Sequence, residues 1–255
     1  MLGCIIQARM GSTRLPGKVM RLLDGTNPSI SFTIEQLKNC SNIDKIIVAT
    51  TTDPEDHQIE SFCKEIGIDV FRGKSDDVLL RYYDCAKHFS LDSIIRVTAD
   101  CPLIDPSIVD KGISIFKNNN YDYVTNTYER TYPDGNETEL FSFSSLEKAN
   151  SLAKLPSERE HVTTFFKNNL NMFKIFNFEY KKNLSELRWT MDYEEDAILI
   201  SSLIKKISSR PFTMDEILNV LENEPDLLKI NEGHHPNEGL LKSLKEDEFF
   251  LKREK

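Results

Sequence analysis

No apolar run in this chain approaches the roughly eighteen residues that a membrane-crossing helix needs, so no span is expected. The N-terminus lacks a basic flank, an apolar core and a small-residue cleavage site. No secretory signal is therefore expected, and a cytoplasmic protein is. Positive charge is outnumbered: 32 Lys and Arg stand against 41 Asp and Glu, for a formal net charge of −9. This argues against the basic face of a protein that binds nucleic-acid polymers, but leaves room for one nucleotide in a locally positive cleft. Cysteine is sparse too. Cys4, Cys40, Cys63, Cys85 and Cys101 are odd in number, scattered and never in CxxC spacing, so reduced and mostly buried thiols are expected rather than a disulfide frame or zinc site. No HExxH, Ser–His–Asp or Cys–His pattern is legible, and His234–His235 has no partner ligands. There is no internal repeat and no low-complexity linker. The 255 residues allow one large α/β domain or two small ones, with a substantial core.

What the chain does have is a cationic loop at its start. Cys4-Ile5-Ile6 reads as a buried strand, and it empties into QARMGSTRLPGK, which carries two glycines, two hydroxyls and the cations Arg9, Arg14 and Lys18. Glycines let backbone N–H groups approach phosphate oxygens, hydroxyls donate, and cations offset negative charge. The loop is neither a Walker A motif nor GxGxxG. A solvated basic loop is the plain alternative. The placement favours ligand binding, because an open α/β sheet presents its crevice at the carboxyl ends of its strands.

Further along, apolar runs at Ile46–Ala49, Ile68–Phe71 and Ser93–Val97 alternate with helical patterns at Ser29–Leu37, from Asp53-Pro54 to Gly67, at Ser75–His88 and from Pro106. Asp53 and Pro54 suit an N-cap and first helical position. This alternation predicts a doubly wound α/β sheet. Beyond Tyr121 the pattern loosens. Strands are expected near Tyr121–Asn126, Glu139–Phe143, Phe173–Tyr180 and Glu186–Thr190, the last two as an antiparallel pair. Helices are expected near Ser144–Lys154, Ser157–Asn168, Glu194–Ser208 and after Thr213, and the polar stretch after that is not expected to pack as core.

Two acidic positions stand out. Asp100 directly follows an apolar strand, on the rim that carries the cationic loop, and is placed to hold a divalent cation against phosphates. Magnesium takes one or two protein carboxylates and leaves its other positions to phosphate and water. Asp105, one residue before Pro106, is the better cap for the following helix. In LRWTMDYEED, Asp192 also follows a strand-like run, and Asp196 comes one helical turn later on the same face. Spacing alone leaves Asp192 open between metal ligand and helix-start acid, whereas Glu194 and Glu195 suit the helix dipole. EREHVT brings Arg159 and His161 near a helix start, where they could hold an anion or simply follow dipole-complementing Glu158 and Glu160.

Seven segments in order, ARMGSTRLPGK, VATTTDPED, FRGKSDDVLLRY, RVTADCPLIDP, YPDGNETELFS, EREHVT and LRWTMDYEED, resemble those of the CMP-sugar synthetases, the cytidylyltransferases that activate KDO and sialic acids. The chain looks closest to the branch of spore coat polysaccharide biosynthesis cytidylyltransferases, whose tail INEG and NEGLLKS also resemble. The resemblance implies a mostly parallel nucleotide-diphospho-sugar transferase fold over residues 1–230. It implies a small inserted strand-and-helix dimerisation segment at about 126–180, a polar tail at 231–255, and a homodimer. The implied enzyme is a CTP-dependent, Mg²⁺-requiring nucleotidyltransferase that moves CMP to an acidic sugar in surface polysaccharide precursor synthesis and releases pyrophosphate. Carried onto this chain, Ala8, Arg9, Gly11, Ser12, Arg14, Lys18 and Arg72 would bind nucleotide. Arg9, Lys18 and Asp100 would be catalytic, Asp100 and Asp192 would hold the metal, and Glu139, Arg159 and His161 would face an anionic small-molecule acceptor. Asp77 and Arg81 fall in a segment near nucleotide or acceptor. The acceptor region departs from the KDO and sialate pattern, which leaves the acceptor open. Activation of a phosphorylated or phosphonate small acid is the same-fold alternative. An inactive nucleotide-binding regulatory subunit is the alternative of another class.

Overall fold

The computed structural model describes residues 1–234 and 238–253, with Glu238 by its backbone alone. His235 and Pro236, read above as part of a polar stretch, lie outside the described residues. The chain opens with β1 (Leu2–Gln7), α1 (Ser29–Lys38), β2 (Lys45–Thr51), α2 (His57–Glu65), β3 (Asp69–Gly73), α3 (Val78–His88), β4 (Ser93–Thr98) and α4 (Pro106–Asn118). It continues through β5 (Tyr123–Thr125), β6 (Glu139–Ser142), α5 (Phe143–Leu152), α6 (Pro156–Glu160), α7 (Thr164–Asn168), β7 (Ile175–Asn177), α8 (Glu194–Lys206), α9 (Met214–Asn223) and α10 (Glu238–Arg253).

The strands form one seven-stranded sheet in the order β3-β2-β1-β4-β6-β5-β7. The β3-β2-β1-β4 half is parallel, β6 runs antiparallel to both β4 and β5, and β7 is parallel to β5. An apolar run without alternation suits a strand covered on both sides, and β1 shows why. Cys4 and Ile6 enter one core with α1, α2, α4, α8 and α9, while Ile5 enters a second with α3, α5 and α7. Helices on both faces are the doubly wound arrangement that the alternation predicts.

Strand order reverses at β1, which lies between β2 and β4, so the crevice of the sheet falls at the carboxyl ends of β1 and β4. Gln7 pairs with Thr98 there, and the loops that leave both strands rise side by side. Helix α1 fixes the second loop from behind. Thr33 donates to the Ala99 carbonyl at 3.3 Å, and the Gln36 amide donates to the Ile104 and Phe212 carbonyls at 2.7 Å each.

Several local expectations are corrected. Asp53 does not cap α2 with its side chain; it accepts from the Ser75 hydroxyl at 2.7 Å, and a short 3-10 turn at Pro54–Asp56 precedes the helix. The helix expected over Ser157–Asn168 is broken in two at Val162, whose φ of 50° is incompatible with a continuous α-helix. Glu186–Thr190 is not a strand but an isolated bridge between Arg188 and Asp134, and β7 is parallel rather than antiparallel to its neighbour. The tail is not loose: α10 packs on α6, with Ser243 and Asp247 buried between them.

The turn at Tyr132–Asn136 holds the stretch before α8 in place. The Asp134 amide donates to the Leu187 carbonyl and the Trp189 amide to the Asp134 carbonyl, both at 2.9 Å. Gly135 sits at φ 108°, and a Cβ there would lie 2.9 Å from the Trp189 backbone and ring. We therefore expect Gly135→Ala to lower unfolding free energy by about 2–3 kcal/mol in urea denaturation, from left-handed strain plus the clash. Gly25→Ala has a φ of 90° but open space around it, and should lose less.

Candidate active site

The loop after β1 is shaped by its own backbone. The Ser12 and Gly17 amides both donate to the Met10 carbonyl, at 2.8 and 3.0 Å. The Met10 amide in turn donates to the buried Asp56 carboxylate at 2.7 Å. Gly17 takes φ 69°, a conformation that favours glycine, and turns the chain into a 3-10 turn at Lys18–Met20. Val19 is sunk in the core, so the adjacent Lys18 is held at the crevice and itself buried.

Lys18 Nζ donates to Asp100 Oδ2 at 2.5 Å and to Asp192 Oδ1 at 2.8 Å. Arg14 Nη2 lies 2.8 Å from the same Asp192 oxygen. The two acids come from segments ninety residues apart, and the Met191 amide joins them by donating to the Asp100 carbonyl at 2.8 Å. Asp196, fully buried, accepts from the amides of Asp192 and Tyr193 at 2.9 and 3.0 Å, which caps α8 and fixes where Asp192 points. Burial disfavours charge on both Lys18 and Asp192, yet the pairing prevails. The Lys18 pKa is raised by its two acids, and that of Asp192 is held well below the usual carboxylate range by Lys18, Arg14 and Arg188.

Asp100 and Asp192 both reach one point, now taken by the Lys18 ammonium. Two hard oxygen donors converging on a cation-sized position suit Mg²⁺, which needs no more from protein. Among the described residues no group of three or more His, Cys, Asp or Glu could hold a metal. Asp100 and Asp192 are thus a pair of carboxylates that could hold a divalent ion, with its other positions left to phosphate and water.

The crevice opens into two continuous spaces. The larger, of about 900 Å³, is bounded by the loop residues Ala8, Arg9, Ser12, Arg14 and Lys18 and by Arg81, Arg159 and α10. The smaller, of about 230 Å³, adjoins it at Arg14, Asp100, His161 and Asp192 and is rimmed by Thr98, Thr127, Thr163, Thr164 and Thr190. Its charges are paired. Glu139 is buried against Arg96 at 2.5 Å and Lys167 at 3.5 Å, and also accepts from Tyr123. Burial alone would raise the Glu139 pKa, but Lys167 and Arg96 bring it well below the carboxylate range. His161 is pushed down to about 4 by burial and by the cations Arg96 and Lys167, so its ring is neutral at pH 7.

Most of the expected residues gather here, with three exceptions. Gly11 is exposed at the loop's outer turn and does not line either space. Arg72 is committed elsewhere: it donates to the Thr51 and Asp53 carbonyls at 2.8 Å each and to Glu60 at 2.9 Å, and does not line the crevice. Arg159 lines the larger space rather than the smaller one, and Asp77 takes its guanidinium at 3.0 and 2.5 Å while also capping α3.

Sequence reasoning missed Arg188. It links Asp134, Asp192 and Asp196 at 2.8, 2.9 and 3.1 Å. Its spacing four residues before Asp192 was the available signal. Arg96 was missed as well; its signal was a cation in the middle of an apolar strand.

A doubly wound sheet with a cationic loop and paired aspartates at its switch point defines a nucleotidyltransferase-like protein. Residues 3–230 match the model of the cytidylyltransferase family, and the chain belongs to that family, whose members transfer a cytidylyl group from CTP. It is 31% identical to the spore coat polysaccharide biosynthesis protein SpsF of Bacillus subtilis, over 87% of this chain and 94% of that protein. A solved cytidylyltransferase from Leptospira borgpetersenii superposes with a TM-score of 0.87 at 36% identity, covering 92% of this chain and 99% of that one. The fold also matches a CMP-2-keto-3-deoxy-manno-octonic acid synthetase solved with CTP, with a TM-score of 0.64 at 18% identity over 80% and 98% of the two chains.

Arg188→Ala leaves three acids, one of them fully buried, without their shared cation. Removing one partner of a buried pair costs about 3–5 kcal/mol, and we expect a loss of that size in chemical denaturation at pH 7. Arg188→Lys should recover only part of it, because one ammonium cannot span all three carboxylates.

Proposed function

We propose that this enzyme moves CMP from CTP to an acidic sugar, or a similar polyhydroxy acid, in the synthesis of surface polysaccharide precursors. The observation that carries this reading is the convergence of Lys18, Arg14, Asp100 and Asp192 where the two spaces meet. The larger space would take the nucleotide, with its triphosphate along Arg9, Ser12, Arg14 and Lys18. The smaller would take the acceptor. Threonine hydroxyls suit an acceptor's hydroxyls, and Arg96, Lys167 and neutral His161 suit its carboxylate.

An acceptor oxygen attacks the α-phosphorus, the bond to the β-phosphate oxygen breaks, and pyrophosphate leaves with the electron pair. The acceptor's hydroxyl proton is lost to solvent or a nearby carboxylate. Such transfer asks the protein mainly for alignment and neutralisation of charge. Lys18 and Arg14 would turn from their carboxylates towards phosphate oxygens when nucleotide arrives. Bound Mg²⁺ would supply further neutralisation at Asp100 and Asp192. We further propose that the enzyme works in the cytoplasm as a homodimer joined through the segment at about 126–180, where β7 leaves a sheet edge open.

The test is pyrophosphate release with each nucleoside triphosphate, Mg²⁺ and a panel of acidic sugars. We expect turnover with CTP and a subset of the acids. Loss of one contact to developing charge costs about 3 kcal/mol, so Lys18→Ala should lose ~10² in kcat with its circular dichroism spectrum retained. Near-normal turnover in that variant would remove Lys18 from the reaction.

A further inference from the structure

The larger space has a wall that the family match does not reach. Helix α10 begins eight residues beyond position 230, yet Gly239, Lys242, Ser243 and Glu246 line the same space as the cationic loop. This 239/242/243/246 stripe is one face of a helix. Ser243 at the edge of this stripe and Asp247 on the next face dock the helix. Asp247, buried, accepts from the Ser157 amide at 2.9 Å and the Ser157 hydroxyl at 2.6 Å, and the buried Ser243 hydroxyl meets His161 Nε2 at 3.0 Å. Buried polar contacts of this kind set a helix in one register, because a slip would leave donors and acceptors without partners.

Charge gives the wall a use. The cations on the loop side are already engaged: Arg9 with Glu160 at 3.3 Å, Arg14 with Asp192, and Lys18 with both aspartates. Lys154, just before α6, and Lys242 on α10 line the same space, are exposed and make no ion pair among the described residues. Neither lines the smaller space, so both belong with the loop and its ligand. A triphosphate that settles on the loop would meet two ammonium groups that need give up no partner to receive it.

We propose that Lys242 and Lys154 form a second cationic lip that binds the nucleotide's phosphates, and that α10 is thereby a part of the nucleotide site. This rests on the assignment of the larger space to CTP. It goes further in giving the segment beyond the family match a direct part in binding.

Calorimetric titration with CTP and with cytidine, in Mg²⁺ and at several salt concentrations, tests it. An exposed charge contact contributes little singly and two independent ones add, so Lys242→Ala should weaken CTP about threefold and Lys154→Ala/Lys242→Ala about tenfold. Cytidine affinity should not change, and the double variant's CTP affinity should depend less steeply on salt. Lys245→Ala, on the same helix but off the space, should bind CTP as the unaltered protein does. A double variant that binds CTP normally, or that loses cytidine as strongly as CTP, overturns the phosphate lip. Failure of the unaltered protein to bind CTP at all would instead sink the assignment of the space and this inference with it.

Discussion

An ammonium group buried between two carboxylates holds the crevice together. Lys18 arrives from the loop after β1, Asp100 from the end of β4, and Asp192 from the start of α8, and each segment is anchored separately in the sheet or its helices. Two carboxylates this close repel one another, and the ammonium between them offsets that repulsion and holds Asp192 well below the usual carboxylate range. The arrangement is exchangeable. In the proposed reaction Asp100 and Asp192 would hold a divalent ion, and the Lys18 ammonium would donate to phosphate oxygens instead of to the two acids.

The same logic extends outward. Arg188 binds three acids at once, and Arg96 and Lys167 hold Glu139. The smaller space is consequently rich in charge but nearly neutral in sum, with its groups oriented by one another before any ligand enters. Preorganised donors of this kind suit group transfer, where little reorganisation remains to be done as charge develops. The larger space differs, because Lys154 and Lys242 in its lining make no ion pair among the described residues.

How much of this the sequence discloses follows from physical range. Local signals carried well. The apolar runs located β1 to β4, since strands covered on both faces need no partner to be recognised, and Asp105 beside Pro106 marked the start of α4, where its carboxylate accepts from the Ser107 amide. The switch-point rule placed the loop and Asp100 on one rim without coordinates. Non-local facts did not carry. Nothing near Arg72 in sequence says that its guanidinium is spent on Thr51, Asp53 and Glu60, and nothing near Arg188 says that Asp134 lies beside it. The polar composition of the tail hid a docked helix, because the residues that dock it, Ser243 and Asp247, are themselves polar and find their partners in α6 and His161. The break at Val162 is likewise a tertiary demand that no local preference announces.

The central claim is that the cationic loop and the two aspartates serve one triphosphate through a shared cation position. Crystals grown with CTP and Mn²⁺ in place of Mg²⁺, with anomalous scattering recorded for the manganese, address it most directly. The account predicts a manganese peak bound by both Asp100 and Asp192, with the triphosphate along Ser12, Arg14 and Lys18. A peak coordinated by neither aspartate, or a triphosphate lying away from Lys18, would contradict it.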